Sequence, residues 1–361
     1  MNLPRIDIDS AKIAHNVQQL TTLYGTKGIK IIGVTKVIGG DPVIAGMMVK
    51  NGIKTLADSR LENIQRMRKA GIRAQFMLLK SPALSQAEEV ITHTHISLNS
   101  ELIVLKELSK CALKNHSIHK VILMVELGDL REGIMPSEME NMVRDVISLK
   151  GIVLIGIGTN LACLGGIAPD SDNMAELSSI AGHLENKFNI SLDIVSGGSS
   201  ANYRWFRSSK DVDRINSLRL GESIFLGRET LCREPIPGLF TDIFTLVAEV
   251  IEAKQKPSQP YGKVYQNMNG KILHFKDHGL MNRAILGIGL QDVVVSGIVP
   301  KQNVTILGAS SDHIVVDNNK ANLEVGDTVT FDLNYNALLR GLNSPYITKN
   351  HVNYQECKEV L

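Results

Sequence analysis

A lysine closes the apolar, β-branched run Ile31-Ile32-Gly33-Val34-Thr35-Lys36. Two glycines follow, then Asp41-Pro42, a pair suited to the N-cap and first turn of a helix. The pattern predicts Lys36 at the C-terminal end of a buried strand, just before a helix. Burial makes an ammonium costly to keep charged, and the neutral amine is a nucleophile; a solvated strand-end lysine is the other reading of this stretch. Two further segments combine small residues with hydrogen-bond donors: Ser196-Gly197-Gly198-Ser199-Ser200 and Arg219-Leu220-Gly221-Glu222-Ser223. Glycines let backbone N–H groups approach an anion, and serine hydroxyls add donors, although tight turns use the same residues. No Walker or dinucleotide glycine fingerprint is present.

These residues need elements to position them. Short β-rich runs occur near 29–36, 55–58, 74–80, 95–98, 120–127, 152–159, 192–196 and 217–220. Helical patterns fill most gaps, at 42–51, 60–70, 84–92, 100–114, 137–149 and 172–188, while 200–216 gives a poor helix. Continuous apolar runs such as Val121–Val125 and Val153–Ile157 suit strands buried on both faces. Eight βα units over residues 10–234 read as a (β/α)8 TIM barrel. Ahead of it, Arg5–Asp9 alternates as a short strand, and Ser10 is placed to cap a helix carrying Ile13, Val17, Leu20 and Tyr24 on one face. After Pro235 and Pro237 the helical signal stops. Strand-like stretches follow at 243–253, 272–276, 283–289, 293–299, 303–307, 313–317 and 328–333, with Glu324–Asp327 as a turn. Residues 1–9 plus 235–361 are therefore expected to form a C-terminal, mostly-β domain.

A barrel of this kind carries its active site at the C-terminal strand ends, with phosphate often held after strands seven and eight. The strand ends here are Lys36, Asp58-Ser59-Arg60, the segment Glu126–Arg131, Thr159-Asn160, Ser196–Ser200 and Arg219–Ser223. A lysine on the first strand and a phosphate cup on the last two is the arrangement that holds pyridoxal 5'-phosphate (PLP). Arg219, just before the cup, is placed to reach the pyridine nitrogen; a guanidinium keeps its proton and leaves that nitrogen unprotonated. Such a cofactor favours brief carbanion chemistry, as in racemisation. A structural ion pair at the barrel rim is the alternative for Arg219.

The segments Gly33–Lys36, Ala57–Arg60, Leu218–Ser223, Gly227–Thr230, Gly308–His313 and Ser344–Tyr346, taken in order, resemble the alanine racemase superfamily. These are the barrel-type, fold type III PLP enzymes, and the likeness is closest to the alanine/ornithine racemase group. The resemblance implies that Lys36 is the Schiff-base lysine and Arg219 the pyridine partner. It implies that Arg131 approaches the ring hydroxyl and the substrate carboxylate, and that Ser199, Ser200, Gly221 and Tyr346 bind phosphate. It counts Asn160 and Glu222 among the cofactor-binding positions. It also implies a homodimer with composite active sites.

Three departures separate the chain from alanine racemase. The partner tyrosine of a Gly-Tyr-x-Asp turn is Leu290 here, in Gly289-Leu290-Gln291-Asp292. No tyrosine follows the lysine within Val37–Gly40, and Asn160 stands where a histidine faces the ring. Leucine carries no proton, so the second base is expected among Ser311, Asp312 and His313, with His278 a lesser candidate; a surface turn with a satisfied histidine is the alternative. The changes suit a larger, polar substrate. The expectation is a PLP-dependent racemase for ornithine or a similar basic amino acid, with Asp292, Asp312 and Glu126 as possible partners of the distal amine. A non-catalytic PLP carrier and a related lyase or decarboxylase are the competing readings; the carriers are single barrels. A metal-dependent aldolase would need a His/Asp ligand pair, which Asp312-His313 leaves open; the leading expectation carries no metal site.

Composition sets the remaining bounds. The chain has 361 residues, 43% hydrophobic and 21% charged, and a net charge of +2. That balance argues against a nucleic-acid surface, and no apolar run is long enough to span a membrane. Met1–Arg5 lacks the apolar stretch of a signal peptide. Cys111, Cys163, Cys232 and Cys357 have no paired spacing, as expected of free thiols in the cytoplasm.

Overall fold

The computed structural model describes residues 2–353, except 267–269, 271, 273 and 275. Cys357 and parts of the expected strand 272–276 lie outside the described residues. Strand β1 (Arg5–Asp9) keeps its alternation, burying Ile6 and Ile8. The helix Ser10–Gly25 follows and buries Ile13, Val17, Leu20 and Tyr24. Ser10 is not its cap. It is the first helical residue, and its buried Oγ has no hydrogen-bond partner among the described residues.

Residues Ala11–Thr241 form one compact unit. Its strands are β2 (Lys30–Val34), β3 (Thr55–Asp58), β4 (Gln75–Leu78), β5 (Ile96–Asn99), β6 (His119–Met124), β7 (Ile152–Gly158), β8 (Ile194–Ser196) and β9 (Ser217–Leu220). Each pairs in parallel with the next, and β2 pairs with β9 to close the barrel. Ile32, Ala57, Met77, Ile96, Leu98, Ile122, Met124 and Ile155 make one buried cluster. Helices cover the strands at Pro42–Lys50, Leu61–Lys69, Ala87–His93, Leu102–Lys114, Met139–Ile147 and Ser171–Phe188. Burial on both faces is why these strands read as continuous apolar runs. Between β8 and β9 the chain makes only a 3-10 turn, Ser200–Asn202, and a short helix, Tyr203–Ser208. Residues 235–241 belong with this unit: Arg228 bridges to Pro235, and the amide of Asn16 donates to Phe240 O at 2.9 Å.

The second unit joins the first ten residues to the chain from Asp242 onward. It contains β1, β10 (Phe244–Pro257), β11 (Leu280–Leu286), β12 (Ile298–Pro300), β13 (Thr305–Ala309), β14 (Ile314–Asp317), β15 (Thr328–Leu333) and β16 (Thr348–Val352). The sheet runs β12-β15-β10-β11-β14-β13, with β1 antiparallel to β10 and parallel to β16. The expected strand 293–299 is mostly a turn, Val295–Gly297, leading into β12. Gly297 packs tightly at the end of this turn: a Cβ there would lie 2.3 Å from Asn334 Oδ1. The helix Tyr335–Asn343 was not expected. Asn334 caps it by accepting from Ala337 N at 3.0 Å, and Ala337, Leu338 and Leu342 are buried. Among the described residues no helix is long and apolar enough to cross a membrane.

One buried polar group links β5 to β6. His119 Nε2 lies 2.9 Å from Ser97 Oγ, and Asn99 Nδ2 donates to that same oxygen at 2.9 Å. Burial pushes the His119 imidazole down to about 4, with the His95 charge acting the same way. An unfolded histidine titrates near 6.5. As pH falls from there towards 4, the unfolded chain binds a proton that the fold refuses, and stability drops by up to about 3 kcal/mol. Urea unfolding at about pH 7 and about pH 4.5 measures this loss. It should be smaller in His119→Gln; equal losses in the two proteins would show that His119 is not its source.

Candidate active site

Beyond β2 the chain turns at Thr35–Asp41, so Lys36 stands two residues past the strand rather than on it, and its side chain is half-buried. Gly40 N–H donates to Thr35 O and Gly39 N–H to Lys36 O, each at 3.2 Å. Both glycines are left-handed, with φ of 59° and 63°. A Cβ on Gly40 would meet Asn63 Cβ at 2.7 Å and Asn63 O at 2.8 Å. Asp41 caps the next helix, accepting from Val43 N at 2.9 Å, with Pro42 in the first turn as expected. The support beneath the lysine is Asp58, a buried carboxylate to which the sequence reading gave no role. It accepts from Thr35 Oγ1 at 2.7 Å, Arg60 N at 2.9 Å and Asn63 Nδ2 at 3.1 Å. Burial raises the Asp58 carboxyl above its usual range, and these hydrogen bonds oppose the rise.

Closure of the barrel brings the end of β9 against the end of β2. Gly221 packs so closely on Val34 that a Cβ would lie 3.1 Å from Val34 Cβ. Glu222 comes next; burial raises its carboxyl, while Arg233 and then Lys36 act to lower it. Its carboxylate is ion-paired with Arg233. Gly198, in the loop after β8, has φ of 119°. Ser200 Oγ is occupied within the fold: it accepts from Ser223 N at 3.1 Å and lies 3.1 Å from Ser223 Oγ. It fastens the β8 loop to the β9 loop. Ser199 Oγ caps the turn at Ala201 N, 3.5 Å away.

Arg219 lies inside this ring and is 5% exposed. Its Nη1 donates to Ser196 Oγ at 2.5 Å and its Nη2 to Thr159 O at 2.7 Å. These partners are neutral, a hydroxyl and a carbonyl, so they form no ion pair at the rim. Burial, then the Arg131 charge, pushes the guanidinium down to about 10, which leaves it charged at neutral pH. A Cβ on Gly158 would approach Arg219 Nη1 to 3.5 Å, and glycine leaves that space open. An amine, a buried guanidinium and loops of glycine and serine thus meet at one mouth of the barrel. The donor set matches what PLP presents: an aldehyde, a pyridine nitrogen that accepts, and a phosphate.

The other expected residues divide between the two units. Arg131, in the loop after β6, is held by Glu132 through Nε–Oε2 at 2.7 Å and Nη2–Oε1 at 2.9 Å. Glu126 is unsuited to a distal amine, because its carboxylate accepts backbone N–H groups of its own loop. Asn160 follows β7 and is half-buried. In the β-rich unit, Ser311, Asp312 and His313 are exposed. They lie against the turn that carries Leu290: Leu290 N donates to Ser310 O at 2.9 Å and Gln291 N to Ser311 O at 3.1 Å. A Cβ on Gly289 would lie 2.2 Å from Ser311 O. Asp312 accepts from the Gln291 amide, and His313 Nδ1 is 3.4 Å from Ser310 Oγ. Asp292 is buried and accepts from Ser344 Oγ at 2.8 Å, so it too is unsuited to an incoming amine. Tyr346 is 70% exposed, with its N–H on Ser344 Oγ at 3.2 Å.

The family model for the alanine racemase N-terminal domain matches residues 8–229. The chain belongs to this family. An ornithine racemase from Acetoanaerobium sticklandii is 39% identical over 350 residues, spanning 96% of this chain and 99% of that protein. A lysine racemase from Thermotoga maritima is 37% identical over 351 residues, spanning 97% and 98%. The solved alanine racemase from a D-cycloserine-producing Streptomyces lavendulae matches with a TM-score of 0.75, covering 99% of each chain at 15% identity. At that identity the likeness establishes the fold: an alanine racemase barrel with a β-rich second unit.

In this racemase the turn under Lys36 depends on glycine. Gly40→Ala forces a side chain into left-handed backbone and onto Asn63, and should cost about 1–3 kcal/mol. Thermal melting checks it; a variant melting with the wild type would show that the turn tolerates a side chain.

Proposed function

We propose that this amino-acid racemase uses PLP and interconverts the L and D forms of ornithine or a similar basic amino acid. The observation that carries the reading is the buried Arg219, hydrogen-bonded to neutral partners, beside the Lys36 turn and the Gly198 and Gly221 loops. Likeness to an ornithine and a lysine racemase across nearly the whole chain supports the substrate class. A carrier protein of one barrel would leave the β-rich unit without a part; here the relatives match through both units.

PLP, when bound, draws electrons from the substrate α-carbon and makes its proton removable. Lys36 holds the cofactor and moves the α-proton on one face. Arg219 donates to the pyridine nitrogen and, keeping its own proton, leaves the ring a weak electron sink. Backbone N–H groups near Gly221 and Ser199 hold the phosphate, and Arg131 receives the substrate carboxylate. The opposite face needs a second group, since inversion is most direct when one base removes the proton and another returns it. We assign that group to Asp312 or His313, with Ser311 beside them, contributed by the partner subunit of a two-fold dimer. Their contact with the Leu290 turn supports this, because that turn carries the tyrosine in alanine racemase. The free thiols of Cys111, Cys163 and Cys232 fit a cytoplasmic enzyme.

Polarimetry with each L-amino acid tests the activity, and L-ornithine and L-lysine should lose rotation fastest. Absence of racemisation with any basic amino acid would reject the substrate class. The purified protein should be yellow, and Lys36→Ala should lose the colour, the cofactor that borohydride reduction fixes covalently to the chain, and the activity; cofactor trapped at another lysine in that variant would overturn the assignment. For the second base, Asp312→Asn and His313→Gln are followed by α-deuterium exchange from each enantiomer. Loss from one enantiomer alone identifies the base, whereas full two-way exchange in both variants rejects this segment. Sedimentation should give a dimer; a fully active monomer would rule out the composite site.

A further inference from the structure

The loop after β6 is clamped at its base, where Glu126 N donates to Ile134 O at 2.9 Å and Ile134 N to Met124 O at 2.8 Å. Within it two buried carboxylates accept backbone N–H groups. Glu126 accepts from Gly128 at 2.6 Å, Leu130 at 3.0 Å and Arg131 at 3.1 Å. Asp129, 1% exposed, reaches across to the loop after β7. It accepts from Cys163 at 3.0 Å, and from Leu164 and Gly165 at 3.1 Å each. Arg131 sits where the two loops meet. Its N–H rests on Glu126, its guanidinium is paired with Glu132, and its Nη1 donates to Cys163 Sγ at 3.2 Å. Leu130 and Ala162 are left-handed, at φ of 52° and 53°. Non-glycine residues keep that conformation when their surroundings over-determine it.

We propose that Asp129 and Glu126 are positioning residues for Arg131. Asp129 fixes the β7 loop and, through Cys163, one edge of the guanidinium; Glu126 fixes the backbone from which the side chain projects. The inference rests on the functional reading above, in which Arg131 receives the substrate carboxylate. Charges held by backbone dipoles fix a geometry without supplying a rival cation, and small displacements of a substrate-orienting arginine are costly.

The test uses the full-length chain reconstituted with PLP. In Asp129→Asn one acceptor oxygen remains, and the new NH2 opposes the loop N–H groups. The KM for L-ornithine should rise about tenfold, roughly the worth of one charge-assisted hydrogen bond, with kcat little changed. In an Arg131→Ala background the same substitution should add nothing to KM, because the group it positions is gone. Trypsin should cut after Arg131 faster in Asp129→Asn than in the wild type. Should that variant fail to fold, judged by circular dichroism, Glu126→Gln carries the same measurements. An unchanged KM, or the same rise with Arg131 already removed, overturns the proposal. A wild type with no activity towards basic amino acids would reject the functional reading instead. Tryptic cleavage then decides the inference: faster cutting upholds the brace, and an unchanged rate overturns it.

Discussion

The pairing of β2 with β9 is the constraint on which the site depends. It sets Ile32 beside Arg219 and Gly33 beside Leu220, and so turns an eight-stranded sheet into a closed ring. Closure places the Lys36 turn against Gly221, two segments at opposite ends of the barrel's sequence. The close approach of Gly221 to Val34 is the local condition for it, since a side chain there would press on the strand below Lys36. An open sheet would leave the amine and the glycine–serine loops on distant edges, with no shared mouth.

The barrel mouth handles its buried charges in one consistent way. Arg219 donates to a hydroxyl and a carbonyl, and Asp58, Glu126 and Asp129 accept from backbone N–H groups and neutral side chains. Dipoles hold each charge while leaving its electrostatic influence uncancelled, whereas a buried counter-ion would neutralise it. Glu222 is the contrast, since Arg233 pairs with it. A rigid frame of this kind suits chemistry in which the substrate carbon changes hand while its carboxylate stays still.

In the β-rich unit the same economy appears around Leu290. Leu290 and Gln291 are hydrogen-bonded to the Ser310-Ser311 backbone, Gly289 packs against it, and Arg340 Nη1 donates to Leu290 O at 2.8 Å. The turn is fixed by backbone hydrogen bonds, and the side chain at its centre is apolar. Gln291, Ser311, Asp312 and His313 lie beside it and are exposed.

Much of this was readable from the sequence because it is local. The eight apolar runs, the helices between them and the Asp41-Pro42 start after Lys36 follow from periodicity and capping within a few residues. Ordered blocks such as Leu218–Ser223 were enough to place the chain in its family. Tertiary structure alone decided which groups are free to act. Glu126 and Asp292 looked like partners for a distal amine until their oxygens were found on loop N–H groups and on Ser344. The contact of the Ser200 hydroxyl with Ser223, which joins the β8 loop to the β9 loop, is likewise invisible in the spacing. The pairing of β16 with β1 spans almost the whole chain, and no local pattern encodes it. Residue type and spacing set what a side chain is able to do, but its hydrogen-bond partners come from distant segments, and only folding brings them within reach.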